Sequence, residues 1–173
     1  MRILEHRRHS FRQSGGVHLS PQGVALARRI GNTTGPFDFV VTSPIPRAIE
    51  TAIAMGFAVD DEIDLLATFG PSVEAEVDWR EGFQGFSRAL PRNGAATQYM
   101  RKLVDLMTRL VTTVSDGGRV LVISHGGVVE ASAVGCLPNA DHDTWGPACD
   151  CCEGIRLTFD SGAFTSIEIL RVS

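Results

Sequence analysis

The run Val120-Leu121-Val122-Ile123-Ser124 restricts the folding of this chain more than any other segment. It is closed by Asp116-Gly117-Gly118 on one side and by His125-Gly126-Gly127 on the other. A short, almost unbroken apolar run between turn signals reads as a strand, here Arg119 to Ser124. Ahead of it, Met100, Leu103, Val104, Met107, Leu110, Val111 and Val114 recur at helical spacing while Arg101, Lys102, Asp105 and Arg109 fall opposite. That pattern predicts an amphipathic core-packing helix. Behind it, Val128 to about Gly135 reads as a helix of small residues. The segment is therefore a helix–strand–helix unit, and the rest of the chain must supply strands to pair with it.

The N-terminal half supplies them. Arg2 to Arg8 reads as a first strand, although Glu5, His6 and Arg7 make it more polar than a buried central strand should be. Ser20-Pro21 has the chemistry of an N-cap followed by proline at the first helical position, and Gly31-Asn32 is a natural stop. Phe37 to Thr42, aromatic and β-branched, reads as a second strand. Ser43-Pro44 repeats the capping signal and predicts a helix to Met55 with Arg47 in its first turn. Ile63 to Leu66 is expected as a short edge strand. Gly70 to Asn93 lacks periodicity and is read as a functional insertion or lid with short hidden helices. Leu137 to Gly154 reads as a loop, and Ile155–Phe159 with Phe164–Leu170 as a hairpin turning at Asp160-Ser161-Gly162. The order βαβα, insertion, αβα, hairpin predicts a three-layer α/β/α sandwich with a mostly parallel sheet, in one domain over 1–173.

Composition excludes several function classes. A net charge of -4 argues against a nucleic-acid binder held by bulk electrostatics. No apolar run approaches the ~18 residues of a membrane span. Glu5 interrupts the first apolar stretch at once, unlike a secretory signal, so a cytoplasmic location is expected. The first dozen residues, with Arg2, Arg7, Arg8, Arg12, His6 and His9, are locally basic within an acidic protein. This fits a focused anion site. Neither motif nor composition specifies an oligomeric state.

Two histidines follow strand ends, His9 after Arg8 and His125 ahead of Gly126-Gly127. An imidazole attacks phosphorus effectively when cations neutralise the phosphoryl oxygens and a partner fixes its tautomer. Arg8 and Arg47 offer guanidinium forks matched to phosphate oxygens, and His125 adds a donor. Such a group needs no metal or other cofactor. A competing metal reading uses His142 with Cys149, Cys151 and Cys152, whose spacing lacks the paired motif of a structural zinc site, so free, partly buried thiols are expected instead.

Four motifs stand in order: Arg8-His9-Ser10; Leu19-Ser20-Pro21-Gln22-Gly23; Val41-Thr42-Ser43-Pro44-Ile45-Pro46-Arg47-Ala48-Ile49-Glu50-Thr51-Ala52; and Val122-Ile123-Ser124-His125-Gly126-Gly127. Together they resemble the histidine phosphatase superfamily, with the phosphoglycerate-mutase-like fold, in its small phosphatase branch. The resemblance implies that His9 is the nucleophile and becomes phosphohistidine. It implies that Arg8, Arg47 and His125, with Gly126, form the phosphate pocket of a metal-independent phosphatase acting on a phosphorylated small molecule or phosphoprotein.

Two departures from the family pattern shape the expectations. Ser10 replaces the usual glycine, so its hydroxyl is expected either to donate to the phosphate or to crowd it. Leu66 stands where many members carry the glutamate that protonates the leaving group. Glu74, Glu76, Asp78 and Glu81 all lie in that region, and Glu81 is the candidate acid because Trp79 and Phe83 beside it would exclude water and raise its pKa. Without an acid, substrates with a good leaving group are favoured, phosphohistidine among them. The alternative is a phosphate-binding member of the same fold with impaired catalysis.

Overall fold

The computed structural model describes residues 1–173. In chain order the elements are β1 (Arg2–Arg8), α1 (Pro21–Gly31), β2 (Phe39–Thr42), α2 (Pro46–Ala54), β3 (Asp61–Glu62), α3 (Pro71–Glu74), α4 (Phe83–Ala89), α5 (Ala95–Thr113), β4 (Arg119–Ser124), α6 (Val128–Cys136), β5 (Gly154–Asp160) and β6 (Ala163–Leu170). Short 3-10 turns interleave them at Asp64–Leu66, Trp79–Glu81, Leu90–Arg92 and His142–Trp145. The six strands form one sheet in the order β3-β2-β4-β1-β5-β6. The first four are mutually parallel, and the β5–β6 hairpin runs antiparallel to β1.

Strand β4 lies between β2 and β1, which explains its apolar run. Val120 and Val122 face the larger core, where Leu103, Met107 and Val111 of α5 and Val129 and Val134 of α6 pack. Leu121 and Ile123 face a smaller core made with Ala27 of α1 and Ala48 and Ala52 of α2. Helices thus cover both faces and give the expected α/β/α sandwich.

The polar strand β1 is nonetheless buried beside β4, and its charges are matched in place. Burial by itself would raise the Glu5 pKa, but Arg7, Arg156 and Arg119 hold the carboxyl below its usual range. Their guanidiniums reach it at 3.2, 3.0 and 2.7 Å. His6, fully buried, uses Nδ1 toward Ser132 Oγ at 2.8 Å and Nε2 toward Ser124 Oγ at 2.6 Å. Because the Ser132 hydroxyl proton is given to Val129 O, His6 donates from Nδ1 and accepts at Nε2. A polar residue is tolerated in a central strand when each polar atom finds a partner.

Several boundaries differ from the sequence expectation. Helix α1 keeps its cap, with the Ser20 side chain accepting from Gly23 N. Helix α2 starts at Pro46 with Ile45 at its cap position. Ser43 does not cap it, since the hydroxyl is committed to His125 and to Ile45 N. The short edge strand is Asp61–Glu62, and Asp64–Leu66 turns as a 3-10 helix that drives Leu66 into the core. The segment from Gly70 to Asn93 is no separate lid. Val73, Val77, Phe83, Phe86 and Ala89 are buried, so the segment is anchored in the hydrophobic core.

Replacing Glu5 with Gln leaves the buried Arg7 without its counter-charge. The expected loss is about 3 kcal/mol of unfolding free energy, by the behaviour of broken buried ion pairs, read from urea denaturation midpoints.

Candidate active site

Parallel neighbours bring their carboxyl ends to one edge, which is where open α/β sheets bind ligands. Strand β1 ends at Arg8 and delivers His9; β4 ends at Ser124 and delivers His125; β2 ends at Thr42 and leads through Ser43 to Arg47 at the start of α2. The ring centroids of His9 and His125 are 5.2 Å apart. These three strand ends frame a cleft of about 260 Å³, lined by Arg8, His9, Arg12, Arg47, His125 and Gly126 and walled by Ala67, Thr68, Phe69, Trp79 and Val128.

His9 is almost fully buried and its tautomer is fixed. Nδ1 lies 2.7 Å from the Ser10 carbonyl, which can only accept, so Nδ1 carries the proton. The lone pair is then on Nε2, where Arg47 Nε donates at 3.0 Å. Burial, then the charges of Arg47, Arg8 and Arg12, push the His9 pKa down to about 4 against the raising effect of the Ser10 bond. At neutral pH the imidazole is uncharged, and its Nε2 lone pair accepts from Arg47 at the cleft.

His125 is arranged in the complementary sense. Its Nε2 lies 2.7 Å from Ser43 Oγ, which also accepts from Ile45 N at 3.1 Å. The Ser43 proton finds its acceptor at His125 Nε2, which places the His125 proton on Nδ1. That atom is buried and has no protein partner. Burial, and after it His9 and Arg47, lower the His125 pKa to about 3. The two rings therefore differ: His9 has its lone pair on Nε2, engaged by Arg47, and His125 has an unpartnered N–H at Nδ1.

Arg8 is held from behind. Its Nη1 donates to Cys149 O at 2.9 Å, its guanidinium stands 5.7 Å from the Trp79 ring, and its Nε is buried and unpartnered. Glu130, fully buried on α6, accepts from Gly127 N and from Cys149 N, both at 2.7 Å. One carboxylate thus joins the glycine turn after His125 to the residue whose carbonyl holds Arg8. At Gly126 a Cβ would lie 2.9 Å from Trp79 Cζ3 and 3.3 Å from Arg8 Cζ, so a larger residue would displace these two side chains.

The sequence expectations meet this geometry unevenly. Arg8, His9, Arg47, His125 and Gly126 converge on the cleft. Ser10 does not: its hydroxyl donates to Gly23 O at 2.7 Å and its backbone N–H donates to Thr51 Oγ1 at 2.9 Å. It is turned toward α1, and it neither crowds the cleft nor donates into it. Glu81 is exposed, pairs with Arg88 and does not line the cleft. The other acids of that region are also elsewhere. Asp78 accepts from Arg80 N, and Glu76 accepts from Ala95 N and Ala96 N at the start of α5.

Both ring nitrogens of His142 are engaged, by Ser87 Oγ at 2.8 Å and Leu137 O at 2.9 Å. No group of three side chains is placed to hold a metal ion. Sequence reasoning missed the roles of Ser43 and Glu130; Arg12 enters it only through the basic N-terminal stretch and Trp79 only as a neighbour of Glu81. Only Glu130 left a local signal, an acid three positions after the glycine that opens a helix.

The family model described as histidine phosphatase superfamily (branch 1) matches residues 4–170. No curated protein matches the sequence. Among solved structures, phosphoserine phosphatase from Entamoeba histolytica in complex with 3-phosphoglyceric acid is 18% identical, with 99% of this chain and 98% of that chain covered and a TM-score of 0.71. Mycobacterial glucosyl-3-phosphoglycerate phosphatase with VO3 is 18% identical over 100% of both chains, at a TM-score of 0.70. Bacillus stearothermophilus YhfR is 16% identical over 95% of both, at 0.68. These likenesses establish the fold.

Two measurements check the site. Ser43→Ala removes the acceptor-donor partner of His125, and kcat/KM is expected to fall roughly tenfold, the cost of leaving one buried polar atom unpaired. His6, His9 and His125 are neutral in the folded protein, with pKa values near 3, 4 and 3. The unfolded chain binds protons at these positions below about pH 6.5, whereas the folded protein does not until about pH 4 or lower. Stability is therefore kept above that upper value and lost as pH falls, by up to about 1.4 kcal/mol per pH unit for each histidine. Urea midpoints measured between pH 7 and pH 4 should decline accordingly.

Proposed function

The chain belongs to the histidine phosphatase superfamily, branch 1, and from that premise we propose that it hydrolyses phosphomonoesters or phosphohistidine through a phosphohistidine intermediate on His9. The observation that carries this reading is the fixed His9 tautomer, with Nδ1 bonded to Ser10 O and the Nε2 lone pair in the cleft beside Arg47.

In the first step His9 Nε2 attacks phosphorus, the N–P bond forms, and the bond to the leaving group breaks with its electron pair. Arg47, Arg8 and the Nδ1–H of His125 face the phosphoryl oxygens and balance their charge. Most phosphoryl-transfer catalysis is positioning and electrostatic stabilisation of this kind. In the second step water attacks phosphorus, the N–P bond breaks, inorganic phosphate leaves and the lone pair returns to Nε2. The charges needed at the phosphoryl are supplied by guanidiniums, so the scheme calls for no metal.

No carboxylate lines the cleft. A positioned acid is worth about 10²–10⁴ in rate, and its absence penalises alkoxide leaving groups most. Aryl phosphates, and phosphohistidine whose imidazole departs readily, are the substrates this cleft suits, whether the phosphoryl sits on a small molecule or on a protein. The same missing acid favours the second reading, a phosphate-binding protein with impaired catalysis. The position of Ser10, clear of the cleft, removes the other argument for that reading.

Steady-state assays with p-nitrophenyl phosphate and a phosphohistidine peptide, and acid-quench trapping of labelled enzyme, separate the two. Turnover with a labelled phosphoenzyme is expected, and His9→Ala should lower the rate by several orders of magnitude while abolishing the label. Phosphoserine should turn over at least about 10²-fold more slowly than the phosphohistidine peptide. Binding of vanadate with no turnover of any of these compounds would establish the second reading instead.

A further inference from the structure

We propose that His6 is a positioning residue for the reaction, setting how the turn that carries His125 sits against the strand that leads to His9. The proposal rests on the phosphatase reading above and concerns a side chain that does not line the cleft. Strand β4 passes into α6 through His125, Gly126 and Gly127, with Gly127 in the left-handed region at φ 84°. Two consecutive glycines have the most backbone freedom to lose and no side chains with which to fix the angle between a strand and the helix after it.

His6 bridges that turn from the neighbouring strand. Its Nε2 accepts from Ser124 Oγ at 2.6 Å, just before the turn, and its Nδ1 donates to Ser132 Oγ at 2.8 Å, in the second turn of α6. Ser132 passes its own proton to Val129 O at 2.8 Å, which carries the contact into the helix backbone. The imidazole holds its donor and acceptor at a fixed separation, so bonding both sets the distance from the end of β4 to α6. All three side chains are completely buried, where a lost partner is not replaced by bulk water. Ser43 holds the His125 ring and Glu130 caps α6 at Gly127, whereas His6 is bonded on both sides of the turn.

The same serine reaches His9. Ser124 O accepts from His9 N at 2.9 Å, and Ser124 stands opposite Arg8 in the β1–β4 register. Ser124 thus gives its backbone to His9 and its side chain to His6, and the next residue is His125. The two rings whose centroids lie 5.2 Å apart share this one support. A phosphoryl group attacked by His9 Nε2 must also meet His125 Nδ1–H, and errors of about 1 Å in such placement cost up to about 10²-fold in rate.

The test uses His6→Leu, which fills the buried space without polar atoms, and Ser132→Ala, which removes one oxygen from the far end of the bridge. Misplaced histidines penalise the transition state more than bound phosphate. With p-nitrophenyl phosphate, kcat is expected to fall about 10- to 10²-fold in His6→Leu and severalfold in Ser132→Ala. KM and the inhibition constant of inorganic phosphate should shift by less than about threefold. Vanadate, which takes up the five-coordinate geometry of phosphoryl transfer, should lose affinity in step with kcat. His6→Leu/Ser124→Ala makes both members of a buried pair apolar, so its urea midpoint is expected to recover while kcat stays low.

Recovery of kcat together with stability in the double variant would show that His6 serves the core alone, and would overturn the inference. A vanadate-to-phosphate affinity ratio that is the same in wild type and Ser132→Ala would also overturn it, and that variant decides the matter if His6→Leu does not fold. Calorimetry gives the ratio without turnover. If wild type hydrolyses no phosphate ester, the phosphatase reading fails and the ratio still judges His6.

Discussion

The imidazole of His9 sits between a carbonyl that can only accept and a guanidinium that can only donate, and the arrangement of the cleft follows from that. Ser10 O fixes the proton on Nδ1 and Arg47 Nε marks the lone pair on Nε2. Both partners are themselves constrained. Ser10 is anchored through Gly23 O and Thr51 Oγ1, and Thr51 donates back to Arg47 O at 2.7 Å. Helices α1 and α2 therefore hold the His9 imidazole from one side. Burial and the surrounding positive charge keep the ring neutral, the state in which it has a lone pair to give.

A second set of contacts holds the opposite wall. Glu130 bonds the glycine turn after His125 and Cys149 N, and Cys149 O bonds Arg8. His6 ties Ser124, the residue before His125, to Ser132 of α6. Buried polar groups in β1 and α6, unusual for a sheet core, hold the ends of β1 and β4 in fixed relation. Half-satisfied networks of this kind are costly, and the buried side-chain polar atoms left without a partner are three, Arg8 Nε, Thr42 Oγ1 and His125 Nδ1.

The cleft resembles a set of donors awaiting an anion more than an acid–base pair. Its charged groups are all cationic, and the acids of the preceding segment are used elsewhere as caps or surface partners of Arg88 and Arg80.

Periodicity and turn chemistry made the strands, α1, α5 and the sandwich legible, because burial on both faces of β4 demands an apolar run and α5 demands a stripe. Four ordered motifs marked Arg8, His9, Arg47 and His125. Boundaries failed where a side chain had a distant partner, as when Ser43 left its cap to bond His125 across the sheet. Glu81 was misjudged for the same reason, since proximity to Trp79 in sequence said nothing of which way either faces. The sequence by itself determined the layers and marked the residues that converge on the cleft, which depend on local pattern and residue type. Tertiary structure alone decided the His125 tautomer, the contact of Arg47 with His9, and the turning of Ser10 and of the acids away from the cleft, because each depends on atoms far apart in the sequence meeting within a few ångströms.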